Sequence, residues 1–216
     1  MLSTTKSLVS KGVKLPLKVA CSNIKHILNL AERQATERLL TGVQKLHLGC
    51  GSRHFEGWAN IDFAGPRGTI RWNLTRPIPA RSNSIHFIYS EHFIEHITRS
   101  EAALLLKNCF DLLVPGGVIR ISTPNLRFLV EQYCSGCVEE WLDVQWAPAT
   151  PAQMLNEGLH LWGHRFVYDY DELSFALRQA GFQHPRAAQW CESEYDELRG
   201  RETRPYHGDL IVEAAK

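Results

Sequence analysis

Short apolar runs alternate with amphipathic stretches along most of the chain, and each run ends in a glycine or a polar side chain. Apolar runs of about four to eight residues with such ends are typical of buried strands. Four of them predict strands, over residues 44–48, 58–62, 84–89 and 118–122. The stretches between them have helical spacing, and this alternation favours an α/β fold with a doubly wound, mostly parallel sheet.

The predicted helices have recognisable ends. Ser100 is the predicted N-cap of the helix after the third strand, and the Pro-Gly-Gly turn at 115–117 is its stop. Pro124 opens another helix, and residues 169–180 form a third that closes at Gly181. Two further apolar runs follow with only loop between them, so we expect them to pair antiparallel at one edge of the sheet; they cover residues 183–190 and 209–214.

The first part of the chain differs from the rest. Before Glu32 it has five lysines and no acidic residue, and its apolar positions recur at helical spacing. We therefore divide the chain into a basic, helical N-terminal arm, residues 1–43, and one domain, residues 44–216. The arm is interpreted as a helix packed on the domain or as a basic amphipathic segment, residues 1–30, that contacts anionic lipid. A mitochondrial presequence is a third interpretation, disfavoured because no arginine precedes Arg33.

Length and composition limit the classes of protein to consider. The 216 residues, 44% of them hydrophobic, suit one globular domain and exclude a mainly disordered chain. The net charge of +1 gives no electrostatic argument for nucleic-acid binding. No apolar run is long enough to span a membrane. Six scattered cysteines without a signal-peptide pattern favour reduced thiols and a cytoplasmic protein, with the inner face of the membrane as a further possibility.

The segment 46–63, LHLGCGSRHFEGWANIDF, contains the first functional signal. Gly49 and Gly51 follow a predicted strand, where the missing Cβ atoms allow a ligand to approach the main chain. Asp62 ends the next strand, and its carboxylate could accept hydrogen bonds from the two hydroxyls of a ribose. The pattern predicts a ligand that contains a nucleoside, and both dinucleotides and S-adenosylmethionine satisfy it.

The spacing after the glycines disfavours a dinucleotide. The dinucleotide fingerprint requires a third glycine at the position of His54, followed by a full helix. Only residues 52–57 separate the turn from the next strand, too few for a helix whose N-terminus would bind a pyrophosphate. S-adenosylmethionine has no phosphate and does not need that helix.

Four motifs in order make the pattern more specific, and a fifth lies in the tail. They are LGCG at 48–51, Asp62, IYSEHFIEHI at 88–97, LLVPGGVIRISTPN at 112–125 and HRFVYDYDELSFALRQAGF at 164–182. Over residues 44–215 the chain resembles class I S-adenosylmethionine-dependent methyltransferases, above all small enzymes like those encoded among bacterial surface-polysaccharide genes. The resemblance implies a seven-stranded, Rossmann-like sheet with an antiparallel C-terminal strand, and S-adenosylmethionine as cofactor.

The resemblance also implies roles for residues along the strand ends. The predicted cofactor-binding residues are Gly49, Cys50 and Gly51 beside the methionine moiety, Asp62 at the ribose, Asn73 and Leu74 beside the adenine, and Ser90 near the sulfonium. His47 departs from the pattern, because many relatives have an acid near this position. The short connection after Gly51 is a second departure, which reduces the usual first helix to about a turn.

The predicted acceptor side lies further along the chain. Glu91, His92 and His96 are the predicted catalytic residues, on a helix that begins beside the cofactor, with one histidine as the general base for a hydroxyl. The segment 156–170 offers hydrogen-bonding groups and an indole face suited to a sugar ring. Its predicted substrate-binding residues are His160, Trp162, His164, Arg165 and Tyr168. The hypothesis is methyl transfer to a small acceptor, a sugar hydroxyl in glycan or lipopolysaccharide biosynthesis, free or lipid-linked.

Three alternatives remain open. The departures could mark a catalytically inactive binding module or a partner subunit. The letters HFIEH at 92–96 match the inverted zinc-protease motif, which would make His92 and His96 metal ligands on one helix face. A nucleic-acid methyltransferase is disfavoured by the balanced charge. We predict no bound metal, and the CxxC at 134–137 has no second pair at zinc-site spacing.

Overall fold

The computed structural model describes residues 17–136, 138, 146–204 and 208–216, with side chains from residue 28 onward. The chain divides into two compact units, Met1–Ala35 and Thr36–Lys216. Helix α1 (Leu17–Leu39) begins in the first unit and includes most of the predicted arm; the lysines before residue 17 lie outside the described residues. Among the helices that the structure describes, none is both long and apolar enough to cross a bilayer.

One sheet organises the second unit. Its strands are β1 (Lys45–Leu48), β2 (Ala59–Asp62), β3 (Ile70–Arg71), β4 (Ile85–Glu91), β5 (Leu113–Thr123), β6 (Gln183–Ala187) and β7 (Leu210–Ala215). The strand order is β3-β2-β1-β4-β5-β7-β6, and the first five strands are parallel. Strand β7 runs antiparallel to both β5 and β6. The predicted fold class, a mostly parallel seven-stranded α/β sheet with an antiparallel C-terminal strand, is confirmed.

In the part of the chain that the structure describes, the strands are connected by helices α2 (Arg99–Leu112), α3 (Leu126–Ser135), α4 (Pro151–His160) and α5 (Tyr170–Ala180). Thr98, not Ser100, caps α2, because only Thr98 lies three residues before Glu101. The Thr98 hydroxyl accepts from Glu101 N, and the Glu101 carboxylate accepts from Thr98 N, which completes a capping box. Helix α3 begins at Leu126 and not at Pro124; Asn125 is its N-cap, and the Asn125 side chain accepts from Arg127 N.

The two faces of the sheet have different coverings. Side chains alternate between the faces along each strand. Leu46, Ile88 and Ile119 are buried in the main core, to which α2 and α5 contribute Leu106 and Leu177. On the opposite face a smaller cluster is buried; it consists of Phe55, Trp58, Tyr89, Val118 and Leu198. In the described chain no helix lies between β1 and β2, so no helix from this connection covers the smaller cluster. The short connection agrees with the sequence prediction.

The loop between β6 and β7, described at residues 188–204 and 208–209, covers the position where that helix would lie. Arg120 of β5 is completely buried and binds this loop. Its Nε donates to Glu202 Oε1 at 2.6 Å, and its terminal nitrogens donate to the carbonyl oxygens of Glu192 (2.8 Å) and Gln189 (3.0 Å). It also donates to Glu213 of β7 at 2.7 Å. A buried ionic network therefore attaches the loop to the sheet.

Candidate cofactor and acceptor site

The predicted cofactor residues meet at the carboxyl ends of the parallel strands. The last residue of β1, Leu48, pairs with Ile61 of β2 on one side and with Ser90 of β4 on the other. Asp62 therefore lies beside the turn that follows β1. In open α/β sheets, ligands bind at these carboxyl ends of the strands.

The glycine turn has the backbone conformation that its sequence predicts. Gly49 and Gly51 have φ values of 67° and 51°, in the left-handed region that favours glycine. The main-chain nitrogens of Gly49 and Cys50 both donate to Ile61 O, at 2.9 and 3.2 Å. Gly51 N donates to Asp62 Oδ2 at 2.9 Å. Hydrogen bonds thus join the glycine turn directly to β2 and to the Asp62 carboxylate.

The two glycines face different surroundings. A Cβ atom at Gly49 would fall 2.5 Å from the Cβ of Phe93, whereas one at Gly51 would meet no atom within 4 Å. Gly49 is therefore required by the packing of Phe93 against the turn. Gly51 leaves its side of the turn open to a ligand.

The Asp62 carboxylate keeps room for further hydrogen bonds. Each of its oxygens accepts one main-chain N–H, from Gly51 (2.9 Å) and from Ala64 (3.1 Å). A carboxylate has about four acceptor positions, so two remain. These two bonds hold the carboxylate in place at the strand end.

The other predicted cofactor residues lie at the same edge or directly behind it. Asn73 Oδ1 accepts from the main-chain nitrogen and the hydroxyl of Thr75, at 3.0 and 2.9 Å, so this amide closes its own turn. Leu74 and Ser90 are buried. Burial, with a smaller contribution from Asp62, raises the pKa of the Cys50 thiol to about 11, so the thiol is neutral at physiological pH.

Hydrogen bonds of the Asn60 side chain, rather than a helix, fix the connection between the glycine turn and β2. Asn60 Oδ1 accepts from Phe55 N at 2.8 Å, and its amide nitrogen donates to Phe55 O at 3.0 Å. His47, the departure from the family pattern, stacks on Phe55 with ring centroids 4.1 Å apart. Its Nδ1 lies 3.2 Å from Asn60 Oδ1. Burial lowers the pKa of His47 to about 4, although the Asn60 bond opposes the shift, so the ring is neutral.

Glu91 connects the end of β4 to the loop between β6 and β7. Its Oε1 accepts from the nitrogen and hydroxyl of Thr203, at 2.7 and 3.0 Å, and its Oε2 lies 3.3 Å from an Arg53 nitrogen. Arg53 in turn donates to the carbonyl of Arg201. The predicted catalytic carboxylate thus also attaches the loop to the strand end.

Both ring nitrogens of His92 face carboxylates. Nε2 lies 2.7 Å from Asp209 Oδ2, and Nδ1 lies 3.3 Å from Glu95 Oε1. Burial alone would lower the pKa of His92, but the two carboxylates outweigh it and raise the pKa to about 9. Asp209 is absent from the sequence prediction, because only the reversed direction of β7 brings it to this edge, where Ser122 Oγ lies 3.5 Å from it.

Residues 91–96 do not form the helix that the sequence predicts. Strand β4 extends to Glu91, and His92 follows with φ of 50°. Ile94–His96 is then a short 3₁₀ turn, and α2 begins only at Arg99. His92 and His96 therefore do not share a helix face, and the ligand pair expected of an inverted zinc protease is not formed.

His96 instead meets the predicted acceptor segment. Its ring lies 5.0 Å from that of His164, centroid to centroid, and the indole of Trp162 lies 5.7 Å from His164. A second indole, Trp146, lies 5.2 Å from Trp162. Glu95, His96 and His164 can each present one ligand atom within 4.8 Å of the others. Burial lowers the pKa of His164, which favours its neutral form.

The remaining predicted substrate residues are dispersed. Arg165 is largely exposed, with one nitrogen 4.0 Å from Glu101 Oε2. His160 is exposed in the last turn of α4. Tyr168 is fully buried in the main core, where its hydroxyl has no hydrogen-bond partner among the described residues. Within the CxxC segment Cys134 is exposed, and Cys137 lies outside the described residues.

No protein-family model and no curated protein sequence match this chain. Solved structures of similar fold include three S-adenosylmethionine-dependent methyltransferases. That of Thermotoga maritima, named a possible histamine N-methyltransferase, is 17% identical over 87% of this chain and 88% of its own, with a TM-score of 0.49. That of Mesorhizobium loti is 20% identical, over 86% and 98%, with a TM-score of 0.49.

The third structure, from Archaeoglobus fulgidus, is 16% identical over 87% of this chain and 94% of its own, again with a TM-score of 0.49. Likenesses at these identities and TM-scores say nothing about the reaction of this chain. Its function has to follow from its own site.

Proposed function

We propose that the chain binds S-adenosylmethionine and transfers its methyl group to a small acceptor, most simply a hydroxyl of a sugar. The observation that supports this best is the unit formed by the glycine turn and Asp62. A left-handed turn with an open side at Gly51 lies next to a fixed carboxylate with free acceptor positions. That combination suits a nucleoside with two ribose hydroxyls.

The connection after the turn favours this cofactor over a dinucleotide. The described chain has no helix between β1 and β2, and so no helix N-terminus that could bind a pyrophosphate. S-adenosylmethionine carries a sulfonium and an amino acid in place of phosphates. Bound at this edge, it supplies an electrophilic methyl group.

The neighbouring residues then have definite tasks. Gly49, Cys50 and Gly51 would line the methionine moiety, and Ser90 would lie beneath the sulfonium at the end of β4. Asn73 and Leu74 would line the adenine, with the Asn73 amide oxygen already engaged by Thr75 and its amide nitrogen left to donate.

The acceptor would bind where His96, His164 and Trp162 come together. An indole 54% exposed beside two imidazoles offers an apolar face and hydrogen-bonding groups to the same small molecule, as a sugar ring requires. We assign the activation of the hydroxyl to this group and not to His92, because both nitrogens of His92 face carboxylates. His160 and Arg165 would contact the outer parts of a larger glycan.

The alternative is a binding module that keeps the cofactor site and lacks turnover. Its support is the position of Glu91, which accepts three hydrogen bonds in holding the loop and is not free to act as a base. Cofactor binding without product on a panel of sugar acceptors would favour this alternative. The lipid contact predicted for residues 1–30 stays a prediction, which flotation with anionic liposomes tests.

Calorimetric titration with S-adenosylmethionine and S-adenosylhomocysteine tests the proposal. We expect saturable binding at one site, and a loss of at least tenfold in affinity for Asp62→Ala. Asp111→Asn is the matched control, since this carboxylate lies in the last turn of α2, next to the start of β5, and is paired with Lys107. No binding of either ligand to the intact chain, or equal binding by the Asp62 variant, would contradict the proposed cofactor site.

A further inference from the structure

The buried carboxylate of Glu95 faces Thr123 with one oxygen and the rings of His92 and His96 with the other. Its side chain is fully buried, and Oε2 accepts from the hydroxyl of Thr123 at 3.0 Å. Oε1 accepts no well-directed hydrogen bond from any described residue. The nearest ring nitrogens are His92 Nδ1 at 3.3 Å and His96 Nε2 at 3.8 Å. Oε1 thus has charge compensation from His92 without a well-directed hydrogen bond, and buried carboxylates are typically paired in this way or bound to metals.

The tautomer of His164 is set by the main chain. Its Nδ1 lies 2.9 Å from the carbonyl oxygen of Gly158, which can only accept a hydrogen bond. Nδ1 therefore carries the proton, and the lone pair is left on Nε2. Imidazoles that bind metals are held in this way, with the second nitrogen donating to a carbonyl or a carboxylate.

The two segments that carry these side chains are joined through the backbone. The carbonyl oxygen of Glu95 accepts from Arg165 N at 2.7 Å and from Phe166 N at 3.2 Å. His164 is thereby brought next to the 3₁₀ turn that contains Glu95 and His96. The arrangement is fixed by main-chain bonds that do not depend on a ligand.

We propose that Glu95, His96 and His164 form a binding site for a divalent transition-metal ion. One carboxylate and two imidazoles are a donor set that Zn²⁺, Mn²⁺ and Fe²⁺ accept, and three protein ligands leave positions open for an exchangeable group. The ligand atoms lie within 4.8 Å of one another. Ligands that share an ion at about 2.0–2.2 Å lie about 3–4 Å apart, so side-chain shifts of about 1 Å close the site.

The surroundings supply the outer contacts of a metal site. Thr123 holds the Glu95 oxygen that does not face the histidines, and Gly158 holds the non-ligating nitrogen of His164. Partners of this kind orient the ligands, and their loss typically weakens metal affinity by about 10–100-fold. The open side of the cluster is bordered by the exposed indole of Trp162.

A role for the ion in methyl transfer rests on the proposed function. The acceptor hydroxyl would bind the ion, which lowers its pKa, and its proton would pass to water. The resulting oxygen would form a bond to the methyl carbon as the carbon–sulfur bond breaks, and the sulfonium would leave as the neutral thioether S-adenosylhomocysteine. Binding of the ion itself does not depend on this role.

Metal titration of the full chain, freed of any histidine tag and stripped with a chelator, tests the site. We expect one Zn²⁺ or Mn²⁺ per chain by calorimetry, and a loss of more than 100-fold in affinity for His164→Gln and for His96→Gln. Thr123→Val keeps the shape of the side chain and should lose about 10–100-fold. His86→Gln, an exposed histidine at the other end of β4, is the matched control and should bind as the wild type does.

Substitution with Co²⁺ gives a second measure that does not depend on activity. Visible absorption bands of a low-symmetry site should appear for the wild type and for His86→Gln, and be lost in His164→Gln. Absence of saturable binding, or equal binding by all variants, would overturn the metal site. Because no S-adenosylmethionine is present, this result stands apart from the titrations with the Asp62 variant, and either proposal can fail while the other holds.

Discussion

The two faces of the sheet are stabilised by different kinds of interaction. On the helical face, α2 and α5 pack aliphatic side chains such as Leu106 and Leu177 onto the strands. On the other face, the loop between β6 and β7 is held by the buried guanidinium of Arg120 and its carboxylate partners. The difference follows from the connection between β1 and β2, which is too short for a helix. A loop has no apolar stripe of its own, so hydrogen bonds and charge supplement the packing.

The loop-covered face also reaches the candidate site. Glu91 ends β4 on this face and accepts from Thr203 of the loop, while Arg53 of the glycine connection donates to the carbonyl of Arg201. The side chains that stabilise the loop thus also position the cofactor edge.

The largest predicted effect comes from Arg120→Met. The substitution leaves the carboxylates of Glu202 and Glu213 buried with their main counter-charge removed, which typically costs about 3–5 kcal/mol. We expect a loss of that size in the free energy of unfolding by urea, and proteolytic cleavage within residues 188–204 under native conditions. The triple variant with Glu202→Gln and Glu213→Gln should regain most of the stability, because it buries no unpaired charge. If the triple variant is as unstable as Arg120→Met, the ionic account of this face is wrong.

The matched change on the helical face is Leu106→Ala. Leu106 is 1% exposed in α2, and removal of such a side chain costs about 2–5 kcal/mol through lost burial and the cavity left behind. Urea unfolding should show a loss of about 3 kcal/mol, and the loop should resist proteolysis as it does in the wild type. Equal loop cleavage in both variants would mean that the two faces unfold together, and the contrast between them would not hold.

On the loop-covered face, His47 produces a pH dependence of stability in the acid range. His47 packs among Phe55, Asn60 and Tyr89, with Arg53, Arg201 and His54 as the charged or titratable groups nearest to it. Its pKa is about 4 in the folded chain and 6.5 without the fold, so the unfolded state holds more protons between these values. The free energy of unfolding should therefore fall as the pH falls from 6.5 to 4, by on the order of 3 kcal/mol from this group.

Comparison with His47→Phe isolates this contribution. Phenylalanine keeps the stack on Phe55, and Asn60 Oδ1 still accepts from Phe55 N. Urea unfolding at a series of pH values should give a flatter curve for the variant between pH 4 and 6.5. Parallel curves for the two proteins would show that His47 is protonated in the folded chain or titrates alike in both states.

The contrast between the faces also explains what the sequence could predict. Helix α5 and five of the strands have apolar periodicity and local end signals, and they were predicted to within a few residues. The two-residue β3 was not predicted, and β5 begins at Leu113 and includes the Pro-Gly-Gly segment that was predicted as a turn. The glycine turn and Asp62 were predicted from local spacing. Asp209, Thr123 and the position of His164 against Glu95 were not, because they depend on the direction of β7 and on backbone contacts between distant segments. Glu95 lies inside the HFIEH motif, but its position next to His164 follows from the bonds of its carbonyl oxygen to Arg165 N and Phe166 N.

The smallest predicted effect is at the start of α2, on the helical face. Thr98→Ala removes the hydroxyl that accepts from Glu101 N and leaves that nitrogen without its side-chain acceptor. Loss of an N-cap costs about 1 kcal/mol. Serine at the same position keeps the hydroxyl and should restore the stability, whereas Ser100→Ala should change it by less than half as much, because Ser100 is not the cap. If Ser100→Ala costs more than Thr98→Ala in urea unfolding, Ser100 is the cap and the helix begins where the sequence alone predicted it.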